Sequence, residues 1–262
     1  MLHTIDNFEL VAKNILQFDA PGELYMVLVL KRRKDTKGQM IEGVNEDNRL
    51  IKHYFLYDQE RLYRKRDAII ALCEQNNARA YILPQRRSCE LVLWALHDKV
   101  ADQLKGHYNN VHFDHLIRSC VAGMHETKEK WHKRWVIDLD EDDPTIQKML
   151  ADGKRRRAEY DDPEAVCHLV QYAMFLRDLI GNALIPVDGL RNEEAEEYMP
   201  DLYHEYRVED VELYETPHGW HLVSPPFNRD AKAMHKYFGG LEPKSEWIKT
   251  DAMTLLYSPC SI

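Results

Sequence analysis

Apolar and polar positions alternate along this chain in two rhythms, and the changes of rhythm mark out its elements. Between Asp6 and Phe18, the residues Phe8, Val11, Ala12 and Ile15 fall on one helical face, with Asp6 placed to cap the first turn. Leu24-Tyr25-Met26-Val27-Leu28-Val29-Leu30 is apolar without a break, as a strand covered on both faces reads. A polar, turn-rich stretch from 34 to 48 precedes a second strand, Ile51 to Leu56. Leu62, Ala68, Ile69 and Leu72 give 61–77 a helical period that Asn76-Asn77 end. Ala80-Tyr81-Ile82-Leu83 is strand-like, and 89–104 carries Leu91, Leu93, Leu96 and Val100 at helical spacing.

In the second half, Arg134-Trp135-Val136-Ile137-Asp138-Leu139-Asp140 predicts a strand. Val166, Leu169, Val170, Ala173, Phe175 and Leu176 predict a helix over 163–180. Two strands, 211–214 and 220–224, flank the turn Thr216-Pro217-His218-Gly219. A short helix, 230–238, and a last strand, 254–257, complete the pattern. Strand, helix, hairpin, helix, strand resembles a ferredoxin-like or RRM-like unit, and the fold class is α+β. Neither an internal repeat nor a Gly/Ser linker marks a sharp boundary.

Composition narrows the class. The 262 residues are 44% hydrophobic and 30% charged, enough chain for one large or two small domains. No apolar run approaches the roughly 20 residues of a bilayer span, and the first residues form no export signal. Five cysteines, odd in number and without a CxxC, argue against a disulfide framework and fit a reducing cytoplasm. With 35 Lys and Arg against 44 Asp and Glu, the net charge of -9 disfavours a protein that simply coats DNA. The signs are nevertheless segregated. Basic clusters stand at 31–34, 61–66, 86–87, 128–134 and 154–157, and acidic ones at 138–143, 193–197 and 205–215. Such segregation permits a basic nucleic-acid track beside an acidic metal site, although charge runs are usually solvated faces.

The strongest chemical signal is Val136-Ile137-Asp138-Leu139-Asp140. Alternation along a strand sends Asp138 and Asp140 to one face, with Ile137 and Leu139 to the other. Two carboxylates that close repel unless a hard cation such as Mg²⁺ or Mn²⁺ lies between them. The following Glu141-Asp142-Asp143 leaves a plain acidic turn as the competing reading. The second signal is Thr216-Pro217-His218-Gly219-Trp220-His221, where Pro217 and Gly219 make the turn and Gly219 admits close approach to the backbone. His221 is then offered from a strand, either as a satisfied structural residue or as a donor to phosphate oxygen. Asp251, entering the last strand, is the third; alone it is merely an acidic residue at a strand start. His112, His115 and Cys120 could be drawn together as a zinc site, but their spacing matches no strong zinc pattern.

In order and chemistry these three elements resemble the archaeo-eukaryotic primase superfamily, the primase-polymerase (PrimPol-like) fold. Its members carry a hydrophobic-DxD motif, a motif ending in a histidine and often written S-x-x-G-x-H, and a hydrophobic-acidic motif. The resemblance covers the second half only, through short motifs, with Thr216 where the family often has Ser. Another departure is Gly219, two residues before the histidine, where many members have Ser. It implies that Asp138, Asp140 and Asp251 hold Mg²⁺ or Mn²⁺, with Asp230 a rival to Asp251, and that His221, with Thr216 and Gly219, meets the incoming triphosphate. It implies a two-part core: an N-terminal α/β unit over 1–130 and an RRM-like catalytic unit over 131–262, compact as one domain. Within the first part Arg79, Arg86 and Arg87 are the favoured phosphate contacts, because 86–88 ends a strand just before a helix N-terminus.

The activity implied is template-directed addition of nucleotides by a stand-alone DNA-directed nucleotidyltransferase. Its partners would be nucleoside triphosphates and single-stranded or primed nucleic acid. No GxxxxGK[ST] motif is present, so unwinding falls to a separate helicase. A metal-dependent nuclease and a non-catalytic nucleic-acid-binding accessory protein are the alternatives.

Overall fold

The computed structural model describes residues 3–19, 21–32, 49–105, 113–123, 134–140, 143, 144, 147, 211–224, 246–250 and 252–259. Among the described residues the chain is mixed α+β, with four helices and two sheets. It divides into two compact units, Met1–Lys133 with Leu256–Ile262, and Arg134–Leu255. The first unit thus takes back the C-terminal segment, which the sequence reading had left wholly in the second. No helix among the described residues is long and apolar enough to cross a membrane.

The first unit opens with β1 (Ile5–Asp6) and α1 (Phe8–Asn14). The N-cap position falls on Asn7 and not on Asp6, which belongs to the strand; the Asp6 carboxylate accepts the Phe8 N–H at 3.1 Å. Next come β2 (Glu23–Lys31), β3 (Arg49–Leu56), α2 (Gln59–Asn76), β4 (Arg79–Ile82), β5 (Arg87–Ser88), α3 (Cys89–Lys105) and α4 (Phe113–Gly123). The sheet order is β1-β10-β4-β2-β3, with β5 added to β2 and with β10 (Thr254–Ser258) arriving from the far end of the chain. β2 lies between β4 and β3, antiparallel to both, and six of its consecutive residues are buried. That placement explains its unbroken apolar run.

α2 is fixed at both ends. Asp58 accepts the Arg61 N–H at 2.6 Å, and Asn77 stops the helix in the left-handed region at φ 47°. Leu62, Ile69 and Cys73 form its buried face. Burial, with Glu74 adding to it, pushes the Cys73 thiol up to about 12, and burial with the neighbouring Glu74 does the same for Tyr257.

In the second unit β6 (Trp135–Asp140), β7 (Glu212–Thr216), β8 (Gly219–Ser224) and β9 (Ile248–Lys249) form a sheet in the order β7-β8-β6-β9, every pairing antiparallel. Ile137, Leu139 and Leu222, all fully buried, form the core on one face. The expected helices 163–180 and 230–238 lie outside the described residues.

Both raised acids give the fold an alkaline limit. A group that ionises less readily when folded stabilises below its unfolded value, and that stability is lost as pH climbs toward the folded one. Stability to urea is therefore expected to fall between about pH 9 and 12. Cys73→Ala is expected to flatten that fall, and an unchanged pH profile in the variant would contradict the assignment.

Candidate functional site

β6 and β8 pair with Asp138 opposite His221 and Asp140 opposite Gly219, while β7 sets Tyr214 opposite His221 and Thr216 opposite Gly219. Directly paired residues share a face of the sheet. Asp138, His221 and Tyr214 therefore form one row, and Asp140, Gly219 and Thr216 the next. Five sequence-predicted site residues are thus gathered on one face in two adjacent rows. Tyr214 is fully buried at the β7 end, whereas the Asp138 side chain keeps 33% of its exposure and that of His221 14%. The face is closed on one side and open at its carboxylates.

His221 is held from both ring nitrogens. Its Nε2 lies 3.3 Å from Asp138 Oδ1, and its Nδ1 lies 3.3 Å from the hydroxyl of Thr254, the first residue of β10. Thr254 is fully buried. The Asp138 N–H donates to the Trp247 carbonyl at 2.9 Å, and the Trp247 indole N–H donates to Asp143 at 3.0 Å. Thr254 and Trp247 escaped the sequence reading; the pairing of β9 with β6 brings Trp247 to the DxD motif, and Thr254 reaches it through the His221 ring.

Strand pairing itself requires Gly219. Its φ is +152°, and a Cβ on it would lie 2.0 Å from the Leu139 carbonyl oxygen. The close approach that glycine permits here is that of β6, the strand carrying the aspartates.

The arginines are placed inside the first unit. Arg86 is 3% exposed, with Nη1 donating to the Gln17 carbonyl at 3.0 Å and to the carboxylates of Asp19 at 2.7 Å and Glu23 at 3.1 Å. Arg87 is equally buried and donates from Nε to the Val121 carbonyl at 3.0 Å. Arg79 is buried on β4. At the start of α3, Cys89 N–H donates to Gly22 O and Leu91 N–H to the Ser88 hydroxyl. These bonds occupy donors that sequence reasoning had offered to phosphate.

Asp251 and Asp230 lie outside the described residues, as does His112; Cys120 is buried on α4 and burial pushes its thiol up. Among the described residues no three His, Cys, Asp or Glu side chains are grouped to hold a metal ion. Two carboxylates on a partly open face suit a hard divalent cation in donor type, needing further oxygen ligands to complete its shell. In comparisons with known proteins, no family model, no curated protein and no solved structure matches this chain.

Two substitutions test this arrangement. Gly219→Ala is expected to cost about 3 kcal/mol, because the new Cβ meets backbone that cannot rotate away. A urea midpoint like that of the native protein would contradict the β6–β8 contact. Arg86→Ala is expected to cost about 2 kcal/mol, since it leaves the largely buried Glu23 without that cation, the partly exposed acceptors keeping the figure below that of a fully buried pair. Unaltered stability would return Arg86 to a binding role.

Proposed function

We propose that this chain is a primase-polymerase-like nucleotidyltransferase that adds nucleotides to a nucleic-acid strand on a template. The observation that carries the reading is the shared face of Asp138, Asp140 and His221 on paired central strands. The substrate hydroxyl would attack the α-phosphate of a nucleoside triphosphate, with pyrophosphate leaving. Asp138 and Asp140, joined by Asp251, would hold Mg²⁺ or Mn²⁺, which activate the attacking oxygen and neutralise the leaving group. His221 offers an N–H to the same face, where an ionised phosphate oxygen competes with Asp138 as acceptor. Thr216, one row on beyond Gly219, borders the same surface. The partners are nucleoside triphosphates and single-stranded or primed nucleic acid, with strand separation left to another protein.

One observation favours a second reading, a non-catalytic nucleic-acid-binding accessory module. Both ring nitrogens of His221 already face groups of this chain, Asp138 and Thr254. Incubation with labelled triphosphates, a primed single-stranded template and Mn²⁺ separates the two. Extension supports transfer; shortening indicates a nuclease, and a mobility shift without product indicates the accessory module.

Asp140→Ala is expected to lower incorporation by about 100-fold or more. Removing one of two neighbouring like charges relieves repulsion, so Tm should hold or rise. Near-native incorporation by this variant would overturn the metal-site reading. Asp140 is the cleaner test because Asp138 also engages His221.

A further inference from the structure

We propose that Thr254 is the positioning residue for His221, holding the ring from behind through Nδ1 while Nε2 faces the aspartates. An ionised carboxylate can only accept, so a hydrogen on the ring nitrogen 3.3 Å from Asp138 Oδ1 is the arrangement that avoids two opposed lone pairs. Nδ1 of the neutral ring is then an acceptor. The group facing it at 3.3 Å is the Thr254 hydroxyl, which can donate. Thr254 is fully buried, so its hydroxyl cannot turn to bulk water instead, and threonine's branched Cβ restricts its rotamers. The order along the row is donor hydroxyl, Nδ1, Nε2–H, carboxylate. Each member sets the orientation of the next, as an outer partner sets which nitrogen of a working histidine is protonated.

The consequence for the site is directional. A ring held only by Asp138 could flip and present carbon or the bare nitrogen to a phosphate oxygen. Held from behind as well, it presents the N–H without a search over orientations when the phosphate arrives. Thr254 touches neither phosphate nor reacting atoms on this account; it acts through His221. The value of a fixed N–H for catalysis rests on the proposed nucleotidyl transfer, whereas the hold of Thr254 on the ring stands on the geometry alone.

The test is ¹⁵N NMR of the imidazole nitrogens at a pH where the ring is neutral. It uses the full chain and its Thr254→Ser and Thr254→Val variants, with His221→Gln to assign the signal. The native protein and Thr254→Ser are expected to show one tautomer, Nε2 protonated and Nδ1 bare and hydrogen-bonded. Thr254→Val, nearly isosteric, is expected to lose the hydrogen-bond shift at Nδ1 while Nε2 stays protonated against Asp138. Incorporation by Thr254→Val should fall by about 10-fold, with Thr254→Ser restoring it. Native-like nitrogen shifts in Thr254→Val, or an Nδ1–H tautomer in the native protein, would overturn the proposal. Should the native protein show the expected tautomer without incorporating nucleotide, the transfer reading falls while the role of Thr254 in holding the ring stands.

Discussion

The antiparallel register between 135–140 and 219–224 is the constraint on which the rest of the site depends. A strand's side chains alternate with a period of two, so a slip of one residue would send Asp138 and Asp140 into the core and Ile137 and Leu139 to the open face. Burial of Ile137, Leu139 and Leu222 makes that slip costly, and hydrophobic packing thereby fixes where the carboxylates stand. The pair Asp140–Gly219 needs a residue without a side chain, because Leu139 O occupies the space a Cβ would take. A glycine that reads as a ligand cradle is therefore first a requirement of strand pairing. The site's chemistry is inherited from that packing.

Charge follows a different logic in the first unit. A basic pair ahead of a helix has the composition of a phosphate site, yet Arg86 is spent on tying Gln17, Asp19 and Glu23 to the strand end, and Arg87 on a carbonyl of α4. A guanidinium carries several donors in a fixed fork, so one arginine can satisfy several acceptors at once where lysine could not do so in the same geometry. Buried arginine in such a place organises loops. Nothing in the local sequence separates that use from a binding one, because the acidic partners lie some sixty residues away along the chain.

Much of the local structure was legible because local physics wrote it. The β2 run, the α2 period ended by Asn76-Asn77, and the alternation in β6 all reappear with bounds shifted by a residue or two. α4, which carries His115 and Cys120, was not among the expected elements, and β9 is two residues long, below what periodicity resolves. Of the site, the common face of Asp138 and Asp140 was readable from a period of two. The partnership of His221 with Thr254 was not, since 33 residues separate them and only tertiary pairing joins them. The same holds for the return of residues 256–262 to the first unit, which leaves no mark on local pattern.

The account's central claim is that Asp138, Asp140 and His221 work as one cation-dependent triphosphate site. Paramagnetic broadening by Mn²⁺, titrated in the presence of a non-hydrolysable triphosphate, tests that most directly, because it reports where the ion sits without requiring turnover. The account predicts that the backbone signals of Asp138, Asp140 and His221 are broadened first and together. Broadening confined to the acidic stretches 193–197 or 205–215, with 138, 140 and 221 untouched, would contradict it.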